Sequence, residues 1–288
     1  MTLYRDYDAA GLEAQYNARA SIPDHPLIFA RWASRSAEVR KRAFARLDVP
    51  YGDGPMEKMD IFHPQRVAAP VAMFIHGGYW RSLDKNDFSD KVSALTDAGA
   101  AVALVNYTLC PATTIGGIVD EMRRAVIWLW RNAQNFGGDP YRIQLIGHSA
   151  GGHLVASLLA THWQDLGSDL PRCPIQSALA ISGVFDLEPL VHTSMNADLR
   201  LDLETAKILS PYYMRPVCRA PLALAWGALE SDEFKRQSRD FAERWRDLGT
   251  PVRLLEIPGR NHLTVVEDLG QGTSDLARLA VELQKLGR

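Results

Sequence analysis

Gly147-His148-Ser149-Ala150-Gly151 has the G-x-S-x-G spacing that suits a serine nucleophile on a sharp turn from a strand into a helix. Side chains at positions 147 and 151 would collide with the neighbouring strand and helix. The glycines let the turn close and lift the Ser149 hydroxyl clear of the sheet, at the cost of a strained serine backbone. The Ala150 N–H then lies at a helix N-terminus, which favours a developing oxyanion. Upstream, His76-Gly77-Gly78-Tyr79-Trp80 follows an apolar run that ends at Ile75. Glycine lets a backbone approach a substrate closely, so Gly77 and Gly78 are the expected oxyanion-hole donors, with Ala150 as the third. His76 is expected to be a structural hydrogen-bonding residue. Tyr79 and Trp80 are candidates for a flat substrate-binding wall against an aromatic group.

A serine needs a base, and the base needs an acid that fixes its tautomer. In the architecture that carries this motif the chain order is serine, acid, histidine. Four histidines follow Ser149. His153 and His162 are expected on the helix after the turn, and His192 in a strand-free stretch. His262 remains, in a loop after the run Val252 to Ile257, and is the expected base. The acid is expected after the run Leu222 to Trp226, where Glu230 is the first carboxylate and is preferred on placement. Asp232 is the alternative acid. Asp232 or Glu233 is otherwise suited to the N-terminus of a helix beginning around Phe234. No H-E-x-x-H or C-x-x-C spacing occurs, so neither a metal nor a cofactor is expected.

Positioning these groups requires strands that alternate with helices. Short apolar runs at 59–62, 71–75, 101–105, 143–146, 178–181, 222–226 and 252–257 read as strands on their length, Val/Ile content and Gly/Pro punctuation. Ile118, Met122, Ala125, Val126, Leu129 and Ala133 recur at helical offsets, as do Phe241, Trp245 and Leu248 before Gly249. Leu276, Leu279, Ala280 and Leu283 suggest a last helix. The fold class is therefore α/β, with a mainly parallel central sheet, helices on both faces and a small cap. The chain is expected to be a single domain over 1–288. Within it, 1–55 is a polar segment of helix and loop near the entrance, its break at Ile22 to Pro26, and 186–220 is a candidate cap insertion.

The 288 residues include 47% hydrophobic and 23% charged, with a formal net charge of −2. This is a globular composition without the basic footprint of a nucleic-acid or anionic-membrane binder. No apolar run is long enough to span a bilayer, and the charged residues of Met1 to Ala20 leave no signal-peptide core. Cys110, Cys173 and Cys218 are odd in number and widely spaced, so they are read as unpaired and the protein as cytoplasmic. The expected partner is a small-molecule substrate, with no nucleic acid and no membrane, and a homodimer is left open.

The assembled pattern resembles the kynurenine formamidase (arylformamidase) branch of the α/β-hydrolase fold, near the hormone-sensitive-lipase-like esterases. The resemblance runs over most of the chain after residue 50. It rests on His76-Gly77-Gly78-Tyr79-Trp80, where the lipase-like relatives carry a third glycine in place of Tyr79, and on Gly147 to Gly152 with His153. Asn106-Tyr107 before Pro111, Ser182 to Leu187, Glu233-Phe234 with Gln237-Ser238, and Asn261-His262 also fit, with a fainter echo in Tyr16-Asn17 and Pro23-Asp24-His25. It implies a serine hydrolase with Ser149, His262 and an acid in the Glu230 loop. The better-known members place aspartate where this chain has Glu230. The implied activity is hydrolysis of an arylformamide such as N-formylkynurenine, in tryptophan catabolism, with a short-chain carboxylesterase as the alternative.

Overall fold

A computed structural model describes residues 2–286. Eight strands form one sheet: β1 (Ala45–Pro50), β2 (Lys58–Phe62), β3 (Ala69–Ile75), β4 (Ala101–Val105), β5 (Gly138–His148), β6 (Ile175–Ile181), β7 (Leu222–Gly227) and β8 (Val252–Ile257). Their order across the sheet is β1-β2-β4-β3-β5-β6-β7-β8. β2 runs antiparallel to both β1 and β4, and every other pair is parallel. Along β3, Val71, Met73 and Ile75 enter one core while Ala72 and Phe74 enter the other. Side chains alternate across a strand, so a strand covered on both faces is apolar along most of its length.

The helices are α1 (Ala9–Tyr16), α2 (Ala18–Ser21), α3 (His25–Arg42), α4 (Ser93–Asp97), α5 (Ile115–Asn132), α6 (Ala150–Leu159), α7 (Asn196–Leu199), α8 (Leu203–Leu209), α9 (Asp232–Asp247) and α10 (Asp275–Leu283). α3, α4 and α10 supply Trp32, Leu95 and Leu276 to one core; α5, α6 and α9 supply Met122, Leu154 and Phe241 to the other. α5 starts where the Thr114 side chain accepts from the Gly117 N–H at 3.1 Å and buries the predicted stripe from Ile118 to Leu129. α9 ends at Asp247, and Gly249 follows with φ +87°, a conformation that stops a helix. Residues 186–220 hold only α7, α8 and short turns.

Two expectations are corrected. The first is β1, which lies within the segment read as polar helix and loop. It is an edge strand with mostly exposed residues, so burial left no apolar mark on Ala45-Arg46-Leu47-Asp48-Val49-Pro50. The second is the cysteines. Cys173 and Cys218 are joined as a disulfide, their Cα atoms 5.2 Å apart, and Cys110 stays free and buried. The paired residues are 45 apart in sequence, yet they precede the neighbouring strands β6 and β7, whose parallel pairing brings them together. Among the described residues no helix is long and apolar enough to cross a membrane.

Candidate active site

The site forms where β3, β5, β6, β7 and β8 end, the edge at which parallel sheets gather ligand-binding loops. Ser149 sits between the last residue of β5 and the first of α6 with φ 57° and ψ −116°. That strained conformation holds because the surroundings demand it. A Cβ at Gly147 would lie 2.1 Å from the Gly151 carbonyl oxygen, and one at Gly151 would lie 2.0 Å from that of Ile75. The Ser149 N–H donates to the Ile181 carbonyl at 2.8 Å, tying the turn to β6.

Three buried side chains form one hydrogen-bonded line. His262 Nε2 is 3.0 Å from Ser149 Oγ, and His262 Nδ1 is 2.9 Å from Glu230 Oε2. An ionised carboxylate only accepts, so Nδ1 carries the imidazole proton and Nε2 is left to accept from the serine hydroxyl. Glu230 Oε1 also accepts from the Gly227 N–H and from Ser182 Oγ, both at 2.6 Å. The Phe234 ring packs on His262 with centroids 4.3 Å apart. Asp232, the alternative acid, is exposed at the first residue of α9 and takes no part in this line. It stands where a carboxylate favours a helix N-terminus.

The loop after β3 passes directly beside the serine. A Cβ on Gly77 would lie 3.0 Å from Ser149 Cβ. Gly78 has φ +105°, and a Cβ there would stand 2.1 Å from the Ser82 carbonyl oxygen, so this position admits only glycine without a shift of the loop. Ala150 is the first residue of α6, so its N–H has no acceptor inside the helix. His76 is buried; its Nδ1 lies 2.8 Å from the Gly77 carbonyl oxygen and its Nε2 3.1 Å from Asn106 Oδ1, and its ring stacks on Tyr107. Burial holds its pKa below the ordinary histidine value.

A cavity opens onto Ser149 and His262. It encloses about 500 Å³, open solvent at its mouth included. Tyr79 lines it, with its hydroxyl donating to the Tyr16 carbonyl. Trp80 does not. It is fully buried, with its ring edge-on to His153 at 4.9 Å, so it packs the core and forms no substrate wall. Residues 186–220 reach the cavity through Met195, and the N-terminal segment through Asn17, Ala18 and Arg19. Ile22 to Asp24 border a second cleft, which His262 and Glu230 also line.

Several supporting residues escape a reading of motifs. His148 Nε2 donates to the His262 carbonyl at 2.8 Å and so braces the His262 backbone. Burial, and then the neighbouring His262, hold the His148 pKa well below its ordinary value, so it stays neutral. Tyr16 donates to Glu233 and accepts from Gln237, each at 2.7 Å. Gln237 in turn accepts from the Phe185 and Asp186 N–H groups. This network clamps α1 to α9 and to the loop after β6. Glu233 and Gln237 were visible as a motif, four residues apart on one helical face; their tie to Tyr16 was not.

The BD-FAE family model matches residues 59–208. A kynurenine formamidase of Salmo salar is 30% identical over 98% of this chain and 99% of its own length. The chain belongs to the kynurenine formamidase family of α/β-hydrolases. Two other similar proteins are also described as hydrolases. Esterase LipQ of Mycobacterium tuberculosis is 28% identical over 77% of this chain and 58% of its own. A solved structure from Silicibacter sp. TM1040, described as a candidate thioesterase, is 31% identical, covers 93% of this chain and 98% of its own, and superposes with a TM-score of 0.83. As a member of this family the chain is a hydrolase of the serine type, and its eight-stranded sheet is the family's α/β-hydrolase fold.

Proposed function

We propose that this enzyme hydrolyses arylformamides, N-formylkynurenine among them, through a formyl-enzyme on Ser149. The observation that carries the reading is the Ser149–His262–Glu230 line of hydrogen bonds in a chain that aligns end to end with a kynurenine formamidase. Ser149 Oγ attacks the formyl carbon as its proton passes to His262 Nε2, and Glu230 stabilises the imidazolium that results. The tetrahedral oxyanion is held by the N–H groups of Gly77, Gly78 and Ala150. Collapse breaks the C–N bond, and the proton on Nε2 moves to the departing aryl amine. Water then attacks the formyl ester with His262 as base, releasing formate and restoring the serine. An aryl amine delocalises its nitrogen lone pair and leaves more readily than an alkyl amine, so an esterase-like site suffices.

In this reading the whole chain is one catalytic domain, with residues 186–220 as a cap that reaches the cavity at Met195. Action in the cytoplasm is part of the same proposal. The Cys173–Cys218 bond weighs against it, because cytosolic thiols are kept reduced; cell fractionation decides. Hydrolysis of short-chain esters is the second reading, favoured by the likeness to LipQ. The two are separated by kcat/KM for N-formylkynurenine against a short p-nitrophenyl ester. Formamide turnover at least equal to ester turnover is expected, and weak formamide turnover beside strong ester turnover would defeat the first reading.

A further inference from the structure

Arg19 and Arg81 both line the cavity that opens onto Ser149 and His262. Their surroundings differ. Arg81 is ion-paired with Asp198, and Glu13 also lies within reach of its charge. Arg19 has a hydroxyl and an aromatic ring instead. One of its guanidinium nitrogens donates to Ser82 Oγ at 2.6 Å, and the group lies over the Phe29 ring, 5.2 Å from its centroid. Among the described residues it forms no ion pair. A cation partly withdrawn from water ordinarily has a counter-ion. Among the described residues Arg19 has none, and it also faces a second guanidinium. Burial, and after it repulsion by Arg81, lowers its pKa from the ordinary arginine value, as befits an unmatched charge.

The rest of the wall is chiefly apolar or aromatic: Phe29, Trp32, Tyr79, Met195 and Leu263. Such a wall accepts a ring, while the guanidinium fork offers paired N–H donors that match a carboxylate. We propose that Arg19 binds a carboxylate carried by the leaving-group half of the substrate, so that the enzyme selects aryl acyl compounds with an anionic side chain. The proposal rests on the arylformamide reading for the nature of the bond cleaved. Arg19 acts as a specificity residue and takes no part in bond breaking.

The test compares kcat/KM for N-formylkynurenine with that for its carboxamide, in the native enzyme, Arg19→Gln and Arg19→Lys. The native enzyme is expected to prefer the carboxylate by about ten- to a hundredfold, the usual worth of a charge-assisted pair. The ratio is expected to fall to near one in Arg19→Gln and to lie between in Arg19→Lys, which keeps the charge and loses the fork. Equal rates on both compounds in the native enzyme, or a preference that survives in Arg19→Gln, overturns the assignment. Absence of any arylformamide turnover defeats the formamidase reading instead. The ratio is then read from phenyl acetates with and without a carboxylate side chain, where a preference lost in Arg19→Gln supports the subsite and equal rates overturn it. If Arg19→Gln does not fold, competitive inhibition of the native enzyme decides. Inhibition by 4-phenylbutanoate about tenfold tighter than by 4-phenylbutanamide supports the subsite, and equal inhibition overturns it.

Discussion

Glu230 accepts from His262, Ser182 and the Gly227 N–H, while Asp232 stands in solvent two residues away. Exchanging Glu230 for Gln keeps the shape but lets the side chain donate, which unsettles the imidazole tautomer. Glu230→Gln is expected to lower kcat by roughly a thousandfold or more, and Asp232→Asn to stay within about twofold, as exposed changes generally do. Steady-state kinetics on the two variants checks both, and the reverse pattern would transfer the acid's role to Asp232. Gly78 gives a second test at this scale. With φ +105° and no room for a Cβ beside Ser82, Gly78→Ala must displace the loop next to the serine. A fall in kcat of about a hundred- to a thousandfold is expected, the usual loss for one oxyanion donor. Unchanged kcat would remove this loop from the mechanism.

At the scale of elements, the disulfide ties the approaches to β6 and β7. Closing a span of 45 residues restricts the unfolded chain by up to about 4 kcal/mol. Cys173→Ser is expected to lower the denaturation midpoint accordingly, and thiol titration of the denatured, unreduced protein to find one reactive thiol, from Cys110. Three thiols before reduction would contradict the pairing. The strands and helices around the site were largely legible because each satisfies a local rule. β8 occupies the 252–257 read from its residues although four of its side chains are not buried, while β1 left no pattern at all. The meeting of Ser149 with His262 was legible because a turn motif and a chain order constrain where they lie. The support given to Glu230 by Ser182, and to His262 by His148, depends on separate strands ending at one edge. No spacing within either strand records that meeting. Trp80 shows the converse: its place in a motif suggested a wall, and packing against His153 decided otherwise.

For the whole molecule, the buried histidines set the response to acid. Burial, only partly offset by the bond to the Leu209 carbonyl, lowers the His153 pKa to about 4, and burial also lowers those of His76 and His148. In the unfolded chain each binds its proton near pH 6.5. Between about 6.5 and 4, therefore, the unfolded state carries more protons than the folded one. Stability is full above this window and falls as pH falls through it, by about 1.4 kcal/mol per pH unit for each histidine that stays neutral only in the fold. Urea midpoints measured from pH 7 to 5, above the main carboxylate range, are expected to drop steadily. A flat profile would mean that these side chains are protonated in the native state.

The central claim is that Ser149 is the activated nucleophile, with its proton taken by His262. Reaction with a fluorophosphonate, followed by mass-spectrometric mapping of the adduct, tests it most directly. One adduct per chain is predicted, on Ser149, formed far more slowly in His262→Ala. An unlabelled native enzyme, or an adduct on any other residue, would contradict it.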